Sequence, residues 1–529
     1  MSEPEGDLLS APMFTARVGT SLTHVSLPGA LAALGGGEPV DFAALQPHQR
    51  HAWFAFVVQL AALGLRAVGK SDPRQSVSFW TETLTRLGPP EAFCLIVPDV
   101  TRPAFEQPPL PEGRLDPKRW SCVDTPDALD ILVTAKNHDV KSLRIQSPRL
   151  EHWVYALVSL QTMQGFLGAG NYGIARMNGG FGNRPMVSVA GDLTLNARFQ
   201  RDVRVWLDSA PDLVQSHGYR VNGGVGLVWS VPWDGVKSLD TSELDPCFIE
   251  TCRRVRLGVV DGAVRAFVVP TKAARITGQK QGGDTGDVWT PIDTKRDAAL
   301  TASPSTFRYD RLTDLLFEHD WKRGAAGMLR ASDGSTPTFL AWAMVRGQGK
   351  TEGLHERELP ISSNVRKRLG SAEGTDALWK RAQERIKWAT TVEGILKRAI
   401  QVYLQGGPED KLDFSDKRAI PFCQRFDQRV DARFFPDLFE AIEQEPDGAD
   451  TEDSKEGELP WQRFLYETAR SELEFAMRSS PTAMSRRWRA EAAARRAFEG
   501  SARRQLPDLF PKPESRAASA EGVNDEHHT

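Results

Sequence analysis

From about Ser371 onward the sequence takes on a helical period, and this change constrains the fold more than any other feature. DALWKRAQERIKWATTVEGILKRAIQVYL places Leu378, Ala382, Ile386, Ala389, Ile395, Ala399 and Tyr403 at helical spacing. A second helical stretch is expected from Pro421 to about Ile442, broken near Pro436. Pro460 is expected to open a third, with Trp461, Leu465 and Leu473 on one face, because proline suits a first turn. A fourth is expected from Met484 to Leu506, with Trp488 and Phe498 inside it. Four helices joined by loops such as DGADTEDSKEGE predict a C-terminal four-helix bundle over residues 371–510. Residues 511–529, rich in Ser, Ala, Glu and His, are expected to form a disordered tail.

Residues 1–370 read differently, mixing short strand-like and helical runs between many Pro and Gly breaks. Helices are expected within 47–68, 75–87 and 147–163, and strands within 93–97, 187–190, 224–229, 264–269 and 338–345. These do not alternate regularly with helices of about 10–15 residues, which argues against a doubly wound parallel sheet. The predicted fold class is α+β: a large irregular mixed α/β N-terminal domain followed by the bundle.

Composition is that of a globular protein, 40% hydrophobic and 26% charged, so a sizeable core can form. The net charge of −3 gives no global attraction to nucleic acid, and any such surface must be local. Cys94, Cys122, Cys247, Cys252 and Cys423 are few and odd in number, and the acidic start MSEPEGDLL, without a basic n-region, leads to the expectation of no secretory signal. The most apolar run, AWFAFVVQLAALGL, is shorter than the roughly 20 residues that span a bilayer. A soluble, reducing, cytoplasmic setting without membrane contact is expected.

The stretch Gly165–Gly182, GFLGAGNYGIARMNGGFG, holds seven glycines and contains the dinucleotide-loop pattern G-x-G-x-x-G. A pyrophosphate site needs a strand before that loop and a helix opening on it. Here LEHWVYALVSLQTMQ reads as a helix, and IARMNGGFGNRP is interrupted by Gly179, Gly180 and Pro185. RGQGKT (Arg346–Thr351) imitates half a P-loop, but Met344 stands where a phosphate-cradling glycine belongs, and TEGLHERELP ends at Pro360. FCLIVPD resembles a Walker B strand on the wrong side of it. Cys247 and Cys252 lack a second pair for zinc, and neither His138-Asp139 nor His355-Glu356 has the partners a metal site requires. No catalytic constellation, cofactor or metal is expected.

What remains are glycine-rich or basic loops and one basic helix. Glycine lets a backbone approach a phosphate or a groove where a Cβ would clash. Arg486, Arg487, Arg489, Arg495, Arg496, Arg503 and Arg504 crowd the last helix, while 443–458 carries eight acids against one lysine. The helix reads either as a solvated face or as a phosphate-contacting surface. A nucleotide-dependent enzyme using GAGNYG or GQGKT and a purely protein-binding scaffold stay open beside a nucleic-acid reader.

In order and spacing, VSLPGALAAL, LQPHQRHAWFAFVVQLAAL, RPAFEQ, LVTAKNHDVK, the glycine stretch, DPCFIETCRRVRL, GDVWTPID, RGQGKTEGLHER and the terminal helices resemble one family. It is the CasA family, the large subunit of the type I-E CRISPR complex Cascade. The resemblance implies a non-enzymatic subunit that joins a guide-RNA complex and recognises a protospacer-adjacent motif in double-stranded DNA. It further implies that the subunit starts strand separation and recruits a helicase-nuclease. Three elements would touch the motif: a glycine loop, a lysine finger and a hairpin with a glutamine wedge. By order in the chain, the first looks like Gly165, Gly168, Gly170, Asn171 and Gly173 with Arg176, and the wedge like Arg346, Gln348, Gly349 and Lys350. The finger looks like Lys295, and Lys136, Asn137, His138 and Lys141 fall where the family reaches toward guide and target. Two departures stand out: the family's Leu-x-x-x-Pro-Trp opening is missing, and the cysteine set of some members is reduced to one pair.

Overall fold

A computed structural model describes residues 5–130, 145, 147–303, 305–347, 350–407, 412–444, 455–480 and 485–510. The chain divides into two compact units, Met1–Lys367 and Arg368–Thr529.

The first unit is built around the helix Arg50–Ala67, buried without a break from His51 to Leu65. The most apolar run of the sequence is therefore a core helix, largely apolar because it is covered all round. Trp53 packs against the rings of Phe14, Phe42, Phe56 and Tyr155 at centroid distances of 5.0 to 5.6 Å. Gln59 Nε2 donates to Phe248 O at 2.8 Å, so the helix also satisfies a buried carbonyl of the strand Leu244–Ile249. The helices Val77–Thr85, Leu150–Met163 and Leu195–His217 pack against it.

The strands form small, mostly antiparallel sheets. Phe14–Val18 lies between Ser21–Val25 and Val40–Phe42, and Ala263–Val269 between Arg254–Val260 and Ser121–Val123. Thr338–Gly347 lies between Met186–Ala190 and Lys350–Pro360. Only Val225–Leu227 and Leu244–Ile249 run parallel among the named strands. The unit is thus a mixed α+β fold.

The helix Leu195–His217 is absent from the expectations above. Thr194 caps it by accepting from Ala197 N, and Gly218, at φ 71°, ends it in the left-handed region. Pro211 lies inside it on the exposed side, and a proline there masks a helical period.

The second unit is helical: Ala372–Leu404, Ile420–Glu443, Lys455–Ser479 and Arg487–Gln505. The first packs on the other three. Two expectations are corrected. The second helix runs unbroken through Pro436, which is exposed while Phe434, Phe435, Leu438 and Phe439 beside it are buried. The third begins at Lys455, so Pro460 lies inside it rather than opening it. Glu458, from the acidic run, accepts Arg381 Nε and Arg385 Nε at 2.8 and 2.7 Å in the interior. The expected tail, 511–529, lies outside the described residues.

Candidate nucleic-acid interface

The glycine stretch leaves the helix Leu150–Met163 and folds back on itself. Gly165 N donates to Gly182 O at 2.8 Å, and Asn183 N donates to Met344 O at 2.9 Å. Three glycines exist for these crossings. A Cβ would lie 2.4 Å from Gly180 O at Gly165, 2.6 Å from Gly165 C at Gly173, and 2.4 Å from Met344 O at Gly182. Gly165 and Gly173 are buried, which corrects their assignment as contact residues.

At the tip, 168–171, the stretch reaches outward, and Asn178 is exposed as well. Asn171 N donates to Gly168 O and Leu167 N to Asn171 O, both at 2.9 Å, closing a tight turn. Gly168 (φ 108°) and Gly170 (φ 85°) take conformations other residues resist, and Ala169 and Asn171 are exposed. Gly168 has open space where a side chain would stand.

The tip is mounted on buried polar groups. Arg176 is 1% exposed, pairs with Glu250 at 3.2 Å and lies 3.8 Å over the Phe248 ring. It anchors the loop from beneath, correcting its assignment to a DNA contact. The Glu250 carboxylate also accepts Ala175 N at 2.8 Å and Arg176 N at 3.1 Å. Burial pushes its pKa up, and Arg176 and the two N–H groups oppose that. Arg253 Nη2 donates to Gly165 O at 3.0 Å, and Gln161 Oε1 accepts Cys252 N and Arg253 N at 3.0 and 2.7 Å. Beneath them Glu106, at φ 56°, accepts Thr251 Oγ1 at 2.9 Å, and burial raises its pKa well above the usual carboxylate range.

The hairpin roots beside this mount. Its strands pair from Thr338↔Pro360 to Gly347↔Lys350, with an irregularity between Val345 and Arg346. Val345 bridges Gly182, tying the hairpin to the glycine stretch. Arg346 is half-buried, and burial, then the charge of Arg253, lowers its pKa. Gln348, Gly349, Lys136, Asn137, His138 and Lys141 lie outside the described residues. Lys350 opens a strand, where a P-loop would need a helix.

Lys295 follows the strand Ile292–Asp293, and its ammonium is held by Asp320 at 2.6 Å. Sequence reasoning missed a lysine nearer the tip. Thr271 N donates to Gly170 O at 2.9 Å, Pro270 packs on Gly170, and Lys272 next in the chain is exposed. No sequence motif marks Lys272, because its place comes from a contact about a hundred residues away in the chain.

Cys247 and Cys252 are buried, and burial pushes both thiols up. Among the described residues no group of three or more His, Cys, Asp or Glu could hold a metal ion. No described helix is long and apolar enough to cross a membrane.

On the basic helix of the second unit, Arg486, Arg487, Arg495 and Arg496 are exposed. Arg487 pairs with Glu491 at 2.9 Å, and Arg495 grips Glu474 through two bonds of 2.9 Å. That pairing holds Glu474 below the usual carboxylate range and offsets part of the positive charge.

An irregular α+β unit followed by a helical unit is a fold already known from solved structures. The chain has the fold of the CRISPR-associated protein Cse1, also called CasA. Cse1 from Acidimicrobium ferrooxidans matches at TM-score 0.64 and 15% identity, covering 97% of this chain and 100% of its own. Cse1 from Thermobifida fusca matches at TM-score 0.59 and 12% identity, over 96% and 98%. A chain of a CRISPR RNA-guided surveillance complex matches at TM-score 0.57 and 14% identity, over 94% and 100%. No family model and no curated protein sequence matches this chain.

Proposed function

We propose that this chain is the large, non-catalytic subunit of an RNA-guided type I-E CRISPR interference complex. It reads a short motif in double-stranded DNA, promotes strand separation and recruits the helicase-nuclease, while other subunits hold the guide RNA. The observation that carries this reading is the Cse1 fold across 97% of the chain, with Ala169 and Asn171 exposed at the tip of the glycine stretch. The four long helices of the second unit are read as a four-helix bundle.

The minor groove presents a degenerate pattern of donors and acceptors, so a reader there combines few hydrogen bonds with shape. A turn bearing glycines at 168 and 170, the Asn171 amide and Lys272 suits a narrow groove. Lys272 replaces Lys295 as the lysine of the site, because it adjoins the tip and Lys295 is tied to Asp320. Wedging a side chain between base pairs costs a few kcal/mol per step. Guide pairing can offset that cost, since heteroduplex and duplex are nearly balanced. Near-neutral net charge fits a subunit whose RNA-bound neighbours supply the electrostatic attraction.

The test reconstitutes the complex with and without this chain and measures binding to duplexes with varied flanking motifs. Motif-dependent binding that disappears on omission is expected. Motif-dependent binding that survives omission would assign motif reading elsewhere.

A further inference from the structure

Eight tryptophans of this chain are fully buried, yet Trp488 is 82% exposed. It stands in the first turn of Arg487–Gln505. Phe414, 63% exposed, and Ile420, 39% exposed, lie at the same end of the helical unit. Gln401 Nε2 donates to Phe414 O at 3.1 Å, and Arg418 Nη2 to Leu404 O at 3.4 Å. Those contacts place 414–420 against the C-terminal end of Ala372–Leu404. A Cβ on Gly407 would lie 3.2 Å from Ala490 Cα, which brings the start of the last helix to that end as well.

Basic residues outnumber acidic ones around these side chains. Lys417, Arg418, Arg486, Arg487 and Arg489 face only Asp413, Asp416 and Glu491 in the same stretches. Asp416 is held by Arg418 at 2.7 Å and Glu491 by Arg487 at 2.9 Å, while Asp413 accepts from Ser415 Oγ at 2.6 Å. Among the described residues Arg486 and Arg489 have no acidic partner, and both are exposed.

We propose that Trp488, flanked by Arg486 and Arg489, is a stacking platform for single-stranded nucleic acid. An exposed indole accepts the face of any unpaired base, and neighbouring guanidinium groups take the phosphates. A duplex hides its base faces in the stack and offers the indole only groove edges. The proposal goes beyond the duplex contact of the first unit, because it concerns a different unit and a different form of nucleic acid.

The test titrates labelled oligothymidylate of about 16 nucleotides with the full chain and reads fluorescence anisotropy. Trp488→Ala is expected to weaken binding about ten-fold or more, with Trp488→Phe retaining most of it. Arg486→Gln with Arg489→Gln is expected to lower the salt slope by about 1.4, from roughly 0.7 per phosphate contact. Circular dichroism confirms that each variant is folded. Equal affinity for wild type and Trp488→Ala, no wild-type binding at low salt, or equal competition by blunt duplex overturns the proposal. Equal displacement by polyglutamate also overturns it, in favour of an acidic protein partner.

Discussion

His51 shows how far one residue can report on the interior. Burial, then the charges of His48 and Arg184, push its pKa down to about 3, so it is neutral in the folded chain. Its Nε2 lies 3.2 Å from Asn183 Nδ2, in the strip that ties the glycine stretch to the hairpin. In the unfolded chain the ring titrates near 6.5, at roughly its ordinary value. Its contribution is therefore complete above pH ~6.5 and is lost as pH falls, at about 1.4 kcal/mol per unit. His51→Gln, which keeps an amide in place of the ring, is expected to remove about 1–2 kcal/mol of the stability difference between pH 7 and pH 5. Urea denaturation at the two pH values checks this, and an unchanged difference would show that His51 titrates normally in the fold.

The glycine stretch is the element where sequence and structure part company most usefully. Its flanks already argued against a dinucleotide loop, since the preceding helix and the broken segment after it can be read directly. What each glycine does could not be read, because Gly165, Gly173 and Gly182 are required by backbones distant in sequence or folded back onto them. Arg176 was misplaced for the same reason: nothing local announces that its partner is Glu250. The strands 93–97, 187–190, 264–269 and 338–345 were legible from short β-branched runs, whereas the helix Leu195–His217 was hidden by Pro211 and the helix through Pro436 was expected to break there. Gly165→Ala, whose Cβ would meet Gly180 O, is expected to cost about 1–3 kcal/mol. Gly168→Ala has open space and pays only for its positive φ, about 1–2 kcal/mol at most. Thermal unfolding should therefore drop more for Gly165→Ala. Equal drops would mean that the crossing at Gly165 yields as easily as the open tip.

At the scale of the whole molecule, the change to a helical period near residue 370 can be read because periodicity is local; the chain divides into two compact units after Lys367. The juxtaposition of tip, Lys272 and hairpin root was not legible, since it is made by contacts spanning much of the first unit. The central claim is that this juxtaposition reads duplex DNA before the strands part. Its most direct measurement compares complexes carrying wild-type chain and Asn171→Ala with Lys272→Ala, on intact and on pre-melted targets of identical sequence. The account predicts at least about ten-fold weaker binding to the intact duplex, each lost contact being worth about 1 kcal/mol or more, with pre-melted target bound as tightly as before. Equal weakening on both targets, or none on the intact duplex, would contradict it.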